Sequence, residues 1–311
     1  MGVAALLARN ECVQPKAGAA LSKAAPAFFI VGAPMSDVRL TKRIEFSASH
    51  RYHNPTWDQT RNTAVFGACN LSQGHGHNYL LEVTIAGSVS PDTGMVVNLF
   101  DLKQVLLDVL VGFDHKHLNL DTPYFSTRIP TTENIATVLW SVLVARPEIT
   151  GLEKIRLYEE DDLYAEVTAK RITTETAAIT RRYHFSAAHR LQANHVSTAD
   201  NARLYGRCHG SSLHGHNYTL AVTIAGRIDS GTGMVTDLTA LDRLVREAVL
   251  ARFDARTLND DPAFANIVPT GEQVAKLIWD LLVKQMAGGQ LERIRITETP
   301  ESSFEYVGER T

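Results

Sequence analysis

Two short runs in this 311-residue chain space histidines as metal ligands are spaced: His75-Gly76-His77 and His214-Gly215-His216. At the head of a strand, side chains at i and i+2 share a face, so both imidazoles of each run can grip one ion. A third histidine, His50 or His189, ends the alternating segment that precedes each run. Three neutral imidazoles on a divalent ion leave a fourth position open, the pattern of catalytic zinc sites. His50, His75 and His77, and His189, His214 and His216, are therefore the candidate ligands. A lone histidine is usually only hydrogen-bonded. That reading is kept for His53, His117, His184, His195 and His209, which have no duplicated counterpart. Cys69 stands six residues before His75, and Cys208 stands six before His214. A thiol near a divalent ion has its thiolate favoured.

The elements around these residues repeat. Phe46-Ser47-Ala48-Ser49-His50-Arg51 returns as Phe185-Ser186-Ala187-Ala188-His189-Arg190, 139 residues later, and Thr93-Gly94-Met95-Val96 returns as Thr232-Gly233-Met234-Val235 at the same offset. The offset slips to 140 at Phe113-Asp114 against Phe253-Asp254, then recovers by Pro130-Thr131 against Pro269-Thr270. One inserted and one deleted loop residue are the expected cause. The chain thus reads as two homologous domains, 36–172 and 173–311, joined by a tight connector at Arg171–Thr176. Alternation predicts strands over Val38–Ser47, Asn78–Val89, Lys154–Glu159 and Leu163–Thr168. Apolar spacing predicts helices over Asp101–Val111 and Thr132–Val144, the second capped by Thr131. The order β-β-α-α-β-β, twice, is an α+β pattern with an antiparallel sheet and helices on one face.

Composition narrows the classes. Hydrophobic residues make up 44% and charged residues 21%, so the chain can build a core and is not disordered. A formal charge of −3 gives no field for nucleic acid or acidic lipid. There is no stretch long enough to cross a membrane as a helix. Three cysteines cannot form a disulfide framework, so a reducing, cytoplasmic setting is the default. Residues 1–35, with Cys12, read as a flexible tail or as sequence upstream of a natural start at Met35.

Together, Phe-Ser-Ala-x-His, Cys-x5-His-Gly-His-Asn-Tyr, Thr-Gly-Met-Val, Asp-His and Thr-Thr-Glu-Asn resemble the 6-pyruvoyl-tetrahydropterin synthase family, which includes the bacterial 6-carboxytetrahydropterin synthases of queuosine biosynthesis. The resemblance covers nearly everything after Met35. It implies two tandem T-fold (tunnelling fold) units, and zinc bound by the six histidines. It implies lyase chemistry on 7,8-dihydroneopterin triphosphate, with loss of triphosphate, toward 6-carboxytetrahydropterin or 6-pyruvoyltetrahydropterin. It carries the role of proton-abstracting base to Cys69 and Cys208, and that of a supporting dyad to Asp114-His115. In the second repeat Asp254 is present, but Ala255 replaces the histidine, so only half of the sites are expected to be complete. Glu159 and Glu298 match the glutamate that anchors the pterin, and Glu133 and Glu272 are expected to line the same pocket. The family's three-unit rings imply a homo-oligomer, a trimer of tandem chains supplying six units. A side-chain-cleaving aldolase of the dihydroneopterin type and a non-catalytic zinc- or pterin-binding scaffold remain alternatives. Cys69 and Cys208 argue against the first, and intact Cys69, Asp114 and His115 against the second.

Overall fold

A computed structural model of the chain describes residues 38–210 and 212–309. The readings on residues 1–35, Cys12 included, lie outside them. The first repeat runs β1 (Val38–His50), α1 (Gln59–Phe66), β2 (His75–Gly87), α2 (Leu99–Leu110), β3 (Lys116–His117), α3 (Leu118–Asp121), α4 (Thr132–Val144), β4 (Leu152–Glu160) and β5 (Leu163–Thr168). A one-turn helix, α5 (Ala169–Ile172), opens the expected connector. The second repeat follows as β6 (Thr176–His189), α6 (Thr198–Tyr205), β7 (His214–Arg227), α7 (Leu238–Val245), α8 (Ala251–Phe253), β8 (Arg256–Thr257), α9 (Gly271–Leu282), β9 (Gln290–Thr299) and β10 (Ser302–Tyr306).

The predicted strands and long helices form, and the first strand runs three residues further, to His50. Along β2, Tyr79, Leu81, Val83 and Ile85 are buried on one face. Leu102, Leu106, Ile135, Leu139 and Leu143 of α2 and α4 belong to the same core. Each such side chain contributes about 1.5–3 kcal/mol by leaving water. Thr131 caps α4, its side chain accepting from the Asn134 N–H.

All the strands join one sheet, in the order β10-β9-β7-β6-β5-β4-β2-β1-β3, with β8 alongside β6. The repeats therefore lie side by side. Antiparallel pairing of β5 with β6 sets Leu163 opposite Arg181 and Ala165 opposite Ile179, and the described residues form a single compact unit.

Two sequence readings need correction. Neither the inserted nor the deleted residue lies in a loop. The insertion is absorbed by a π-helical turn at Arg246–Leu250, between α7 and α8, where the first repeat has the plain helix α2. A π turn is how a helix takes in one extra residue without losing register at its ends. The deletion tightens α3 into a 3-10 turn, Leu258–Asp260, which needs fewer residues. The predicted order also omits α1 and α6. Only Asn62 and Phe66 of α1 are buried. Polar bonds hold that helix: Asp58 caps it, and the Asn62 side chain accepts from the Asn54 N–H and donates to the carbonyls of Asn54 and Trp57. A helix held this way carries no apolar period to read.

Candidate metal centre and cavity

Strand register assembles each histidine triad. In the β1–β2 hairpin His50 stands opposite His75, and Ala48 stands opposite His77, so the three imidazoles meet at one end of one face. The β6–β7 hairpin repeats this with His189 opposite His214 and Ala187 opposite His216. In each triad one ligand nitrogen per ring lies within 4.8 Å of the other two. His50 Nδ1 lies 2.9 Å from the Pro130 carbonyl and His189 Nδ1 lies 2.8 Å from that of Pro269, which fixes the protonated nitrogen and turns Nε2 inward. Burial, then the neighbouring imidazoles, lowers the His50 pKa to about 3, and burial likewise lowers those of His189, His75 and His214. All four are therefore neutral at pH 7, as metal ligands must be. His77 Nε2 and His189 Nε2 are buried without a hydrogen-bond partner. Such orphaned nitrogens in a ring of imidazoles fit a divalent cation.

Glu159 and Glu298 reach the triads through β-bulges. Pairing of β4 with β5 skips Glu159, passing from Tyr158–Tyr164 to Glu160–Leu163, and pairing of β9 with β10 skips Glu298 in the same way. A bulge re-aims the unpaired side chain. Glu159 Oε1 lies 3.7 Å from His77 Nε2, and Glu298 Oε1 lies 3.7 Å from His216 Nε2. Tyr52 and Thr132 donate to Glu159 Oε2 at 3.2 and 2.5 Å. Two donors on one oxygen lock the carboxylate plane. Glu298 instead accepts from Tyr218 at 3.2 Å.

Cys69 sits on the 3-10 turn that follows α1 and shares a cavity with Tyr52, His75, His77 and Glu159. Burial, and then Glu159 and Glu160, push its thiol up. The far wall of this cavity belongs to the second repeat: Arg181, Met234, Asp237, Leu238 and Asp242. Sequence reasoning missed this wall. A signal existed in part, because Arg181 repeats the basic Lys42, 139 residues earlier. No signal marked Tyr52, whose counterpart is Leu191.

Other predicted residues fall elsewhere. Glu133 is 2% exposed, and its Oε1 accepts the Val235 N–H at 3.0 Å, clamping repeat 1 to repeat 2. Burial raises its pKa to about 7. Glu272 is exposed. Asp114 and His115 lie apart from Cys69, on a shallow surface beside Ser47 and Asn78, with the His115 side chain 83% exposed. Asp114 Oδ1 accepts the Ser47 N–H, and Asp254 Oδ1 accepts that of Ser186. Each carboxylate thus holds a turn whose next residue, His115 or Ala255, has positive φ (56° and 54°).

The family described as 6-pyruvoyl tetrahydropterin synthase matches this chain twice, over residues 39–170 and 178–309. Human 6-pyruvoyl tetrahydrobiopterin synthase is 40% identical over 132 residues, which is 42% of this chain and 91% of the human protein. An Archaeoglobus fulgidus protein provisionally named 6-carboxy-5,6,7,8-tetrahydropterin synthase is 38% identical over 93 residues, 30% of this chain and 74% of that protein. The structure of Caenorhabditis elegans 6-pyruvoyl tetrahydropterin synthase is 33% identical, covering 43% of this chain and 97% of its own, with a TM-score of 0.42. With both repeats matched, the chain belongs to the 6-pyruvoyl tetrahydropterin synthase family and carries two of its T-fold units in tandem.

Proposed function

We infer that the chain is a zinc-dependent tetrahydropterin synthase, a lyase that converts 7,8-dihydroneopterin triphosphate with loss of triphosphate, and that its working site is the cavity of the first repeat. The observation that carries this reading is the meeting of Cys69, His75, His77 and Glu159 in that one cavity. His50, His75 and His77 would hold zinc there, and His189, His214 and His216 a second ion. When bound, zinc supplies a Lewis acid for a side-chain oxygen of the substrate, easing loss of the neighbouring C–H proton.

The remaining roles belong to the chain's own side chains. Glu159, locked by Tyr52 and Thr132, accepts two parallel N–H bonds from the guanidine-like edge of the pterin, which orients the ring. Cys69 Sγ takes the side-chain proton. The carboxylates that raise its pKa also make its thiolate a stronger base once formed. Met234 and Leu238, from the second repeat, supply an apolar flank that keeps water from the reacting carbon. Among the described residues no cysteine lines the surface beside His115, so the Asp114-His115 dyad would serve Cys208 or Cys69 of another copy.

Two products remain in view: Thr-Thr-Glu-Asn in repeat 1 favours the pyruvoyl route, and Pro-Thr-Gly-Glu in repeat 2 the carboxy route. Incubation with 7,8-dihydroneopterin triphosphate and mass analysis of the pterin distinguishes them, acetaldehyde release marking the carboxy route. No pterin product from zinc-loaded protein would sink the enzyme reading and leave a binding scaffold. For the second repeat alone a non-catalytic reading has specific support: Leu191, Gly271 and Ala255 stand where the first repeat has Tyr52, Thr132 and His115.

A further inference from the structure

The two triads differ in what the carboxylate beside them is free to do. In repeat 1 Glu159 Oε2 accepts from Tyr52 and Thr132, and Oε1 approaches one imidazole, His77, to 3.7 Å. In repeat 2 both donors are gone: Leu191 carries no hydroxyl, and Gly271 carries no side chain. The Phe304 ring fills the space that a Cβ at Gly271 would need. Glu298 instead stands between two imidazoles, its Oε1 3.6 Å from His189 Nε2 and 3.7 Å from His216 Nε2.

Those separations are close to what one ion requires. Nitrogen and oxygen ligands about 2.0–2.1 Å from a tetrahedral zinc ion stand about 3.4 Å from one another. The polarity fits as well. His189 Nδ1 is engaged by the Pro269 carbonyl, so Nε2 presents a lone pair, and that nitrogen is buried without a hydrogen-bond partner. A lone pair facing a carboxylate oxygen is unfavourable until a cation joins them. The neighbouring tyrosine has changed partner too. The Tyr79 hydroxyl lies 3.1 Å from His50 Nδ1, whereas its counterpart Tyr218 donates to Glu298 Oε1 at 3.2 Å. A hydroxyl that donates to a metal-binding carboxylate fixes its orientation.

We propose that Glu298 is the fourth ligand of the metal held by His189, His214 and His216, so that repeat 2 carries a closed, structural site while the triad of repeat 1 keeps an open position. Four protein ligands leave no corner for a substrate oxygen. A carboxylate with one oxygen on the metal also loses the two-point grip that a pterin edge requires. The same strand position thus serves opposite ends in the two repeats. Where Tyr52 and Thr132 hold it off the triad, the glutamate is available to a substrate; where their hydroxyls are absent, it closes on the metal. This inference rests on the metal reading of the triads and holds whichever pterin the chain turns over.

Cobalt(II) in place of zinc in the full-length chain tests it. His214→Ala leaves the repeat 1 triad intact, and His75→Ala leaves that of repeat 2. Azide should shift the visible absorption of the cobalt-loaded His214→Ala chain by taking its open position, and leave that of the His75→Ala chain unmoved. Adding Glu298→Gln to the His75→Ala chain should make its spectrum respond to azide. It should also weaken zinc binding by about 10–100-fold, read by chelator competition. Glutamine keeps an acceptor for Tyr218 and nearly the same shape, and circular dichroism checks that the fold is retained. Glu159→Gln in the His214→Ala chain should have no comparable effect on zinc affinity. Equal azide shifts in the two single-triad chains, or an unchanged zinc affinity on Glu298→Gln, overturn the proposal. A wild-type chain that takes up no metal overturns the metal reading along with it, and elemental analysis tells the two failures apart.

Discussion

The two repeats share a histidine triad and differ in nearly everything that would hold a substrate beside it. In repeat 1 Glu159, the proposed anchor, is held by the hydroxyls of Tyr52 and Thr132. In repeat 2 those positions are Leu191 and Gly271, and Glu298 is left with Tyr218. The Phe304 ring fills the space at Gly271, coming within 2.1 Å of where a Cβ would lie, and its counterpart in repeat 1 is the small Ala165. The triad depends on hairpin register alone, and register is set by the whole hydrophobic face of a strand. The anchor's geometry depends on a few side chains from loops and helix starts, any of which can change without disturbing the fold. Duplication therefore preserves the histidine triad more readily than the surroundings of the glutamate.

The largest expected difference lies in the metal ligands. His75→Ala and His214→Ala should each lower bound zinc from two ions per chain to one, read by elemental analysis. Only His75→Ala should abolish turnover, by 100-fold or more on the order of losses seen when metal sites are disrupted. Equal turnover losses in the two variants would place both repeats at work.

Next is the clamp between repeats. In the unfolded chain Glu133 titrates near 4.5, and in the folded chain at about 7. Below 4.5 both states are protonated. Between these values the unfolded chain releases the proton first, so stability falls as pH rises, and the loss is complete above about 7. The shift corresponds to roughly 3 kcal/mol at most. Glu133→Gln keeps an acceptor for Val235 and should be more stable than wild type at pH 8 but not at pH 4.5, as measured by urea denaturation. A wild-type-like pH dependence in this variant would contradict the assignment.

Smaller again is the steric exchange at the start of α9. Gly271→Thr should destabilise the chain by about 1–3 kcal/mol through overpacking against Phe304, and Phe304→Ala in the same chain should recover most of that loss. Thermal denaturation of the double-mutant cycle reads it, and additive effects would refute the exchange. The smallest change is Tyr52→Phe, which removes one hydroxyl from a charged acceptor and should lower kcat/KM about 10-fold. Leu191→Phe, its counterpart in repeat 2, should leave kcat/KM unchanged.

What could be read from the sequence follows the same division. The six histidines and the four main strands of each repeat announce themselves, because period-2 alternation and an exact repeat offset are properties of the chain alone. Cys69 and Glu159 were found by motif, but their convergence was not visible, since it depends on a polar helix, α1, and on a bulge that leaves Glu159 unpaired. The Glu133–Val235 bond is not legible either, because a helix-start glutamate near a binding motif looks the same whether it faces a cavity or a neighbouring backbone N–H. The repeat-2 wall of the cavity was hidden because it depends on β5 pairing with β6, a long-range choice that neither strand's pattern dictates.

Comparison of Cys69→Ala with Cys208→Ala, each loaded with zinc and assayed on 7,8-dihydroneopterin triphosphate with the product identified by mass, tests the central claim most directly. If the cavity spanning the two repeats is the working site, Cys69→Ala loses turnover by about 100-fold or more, while Cys208→Ala keeps most of the wild-type rate. Two variants that each retain half of the wild-type rate would show two equivalent sites and contradict the account.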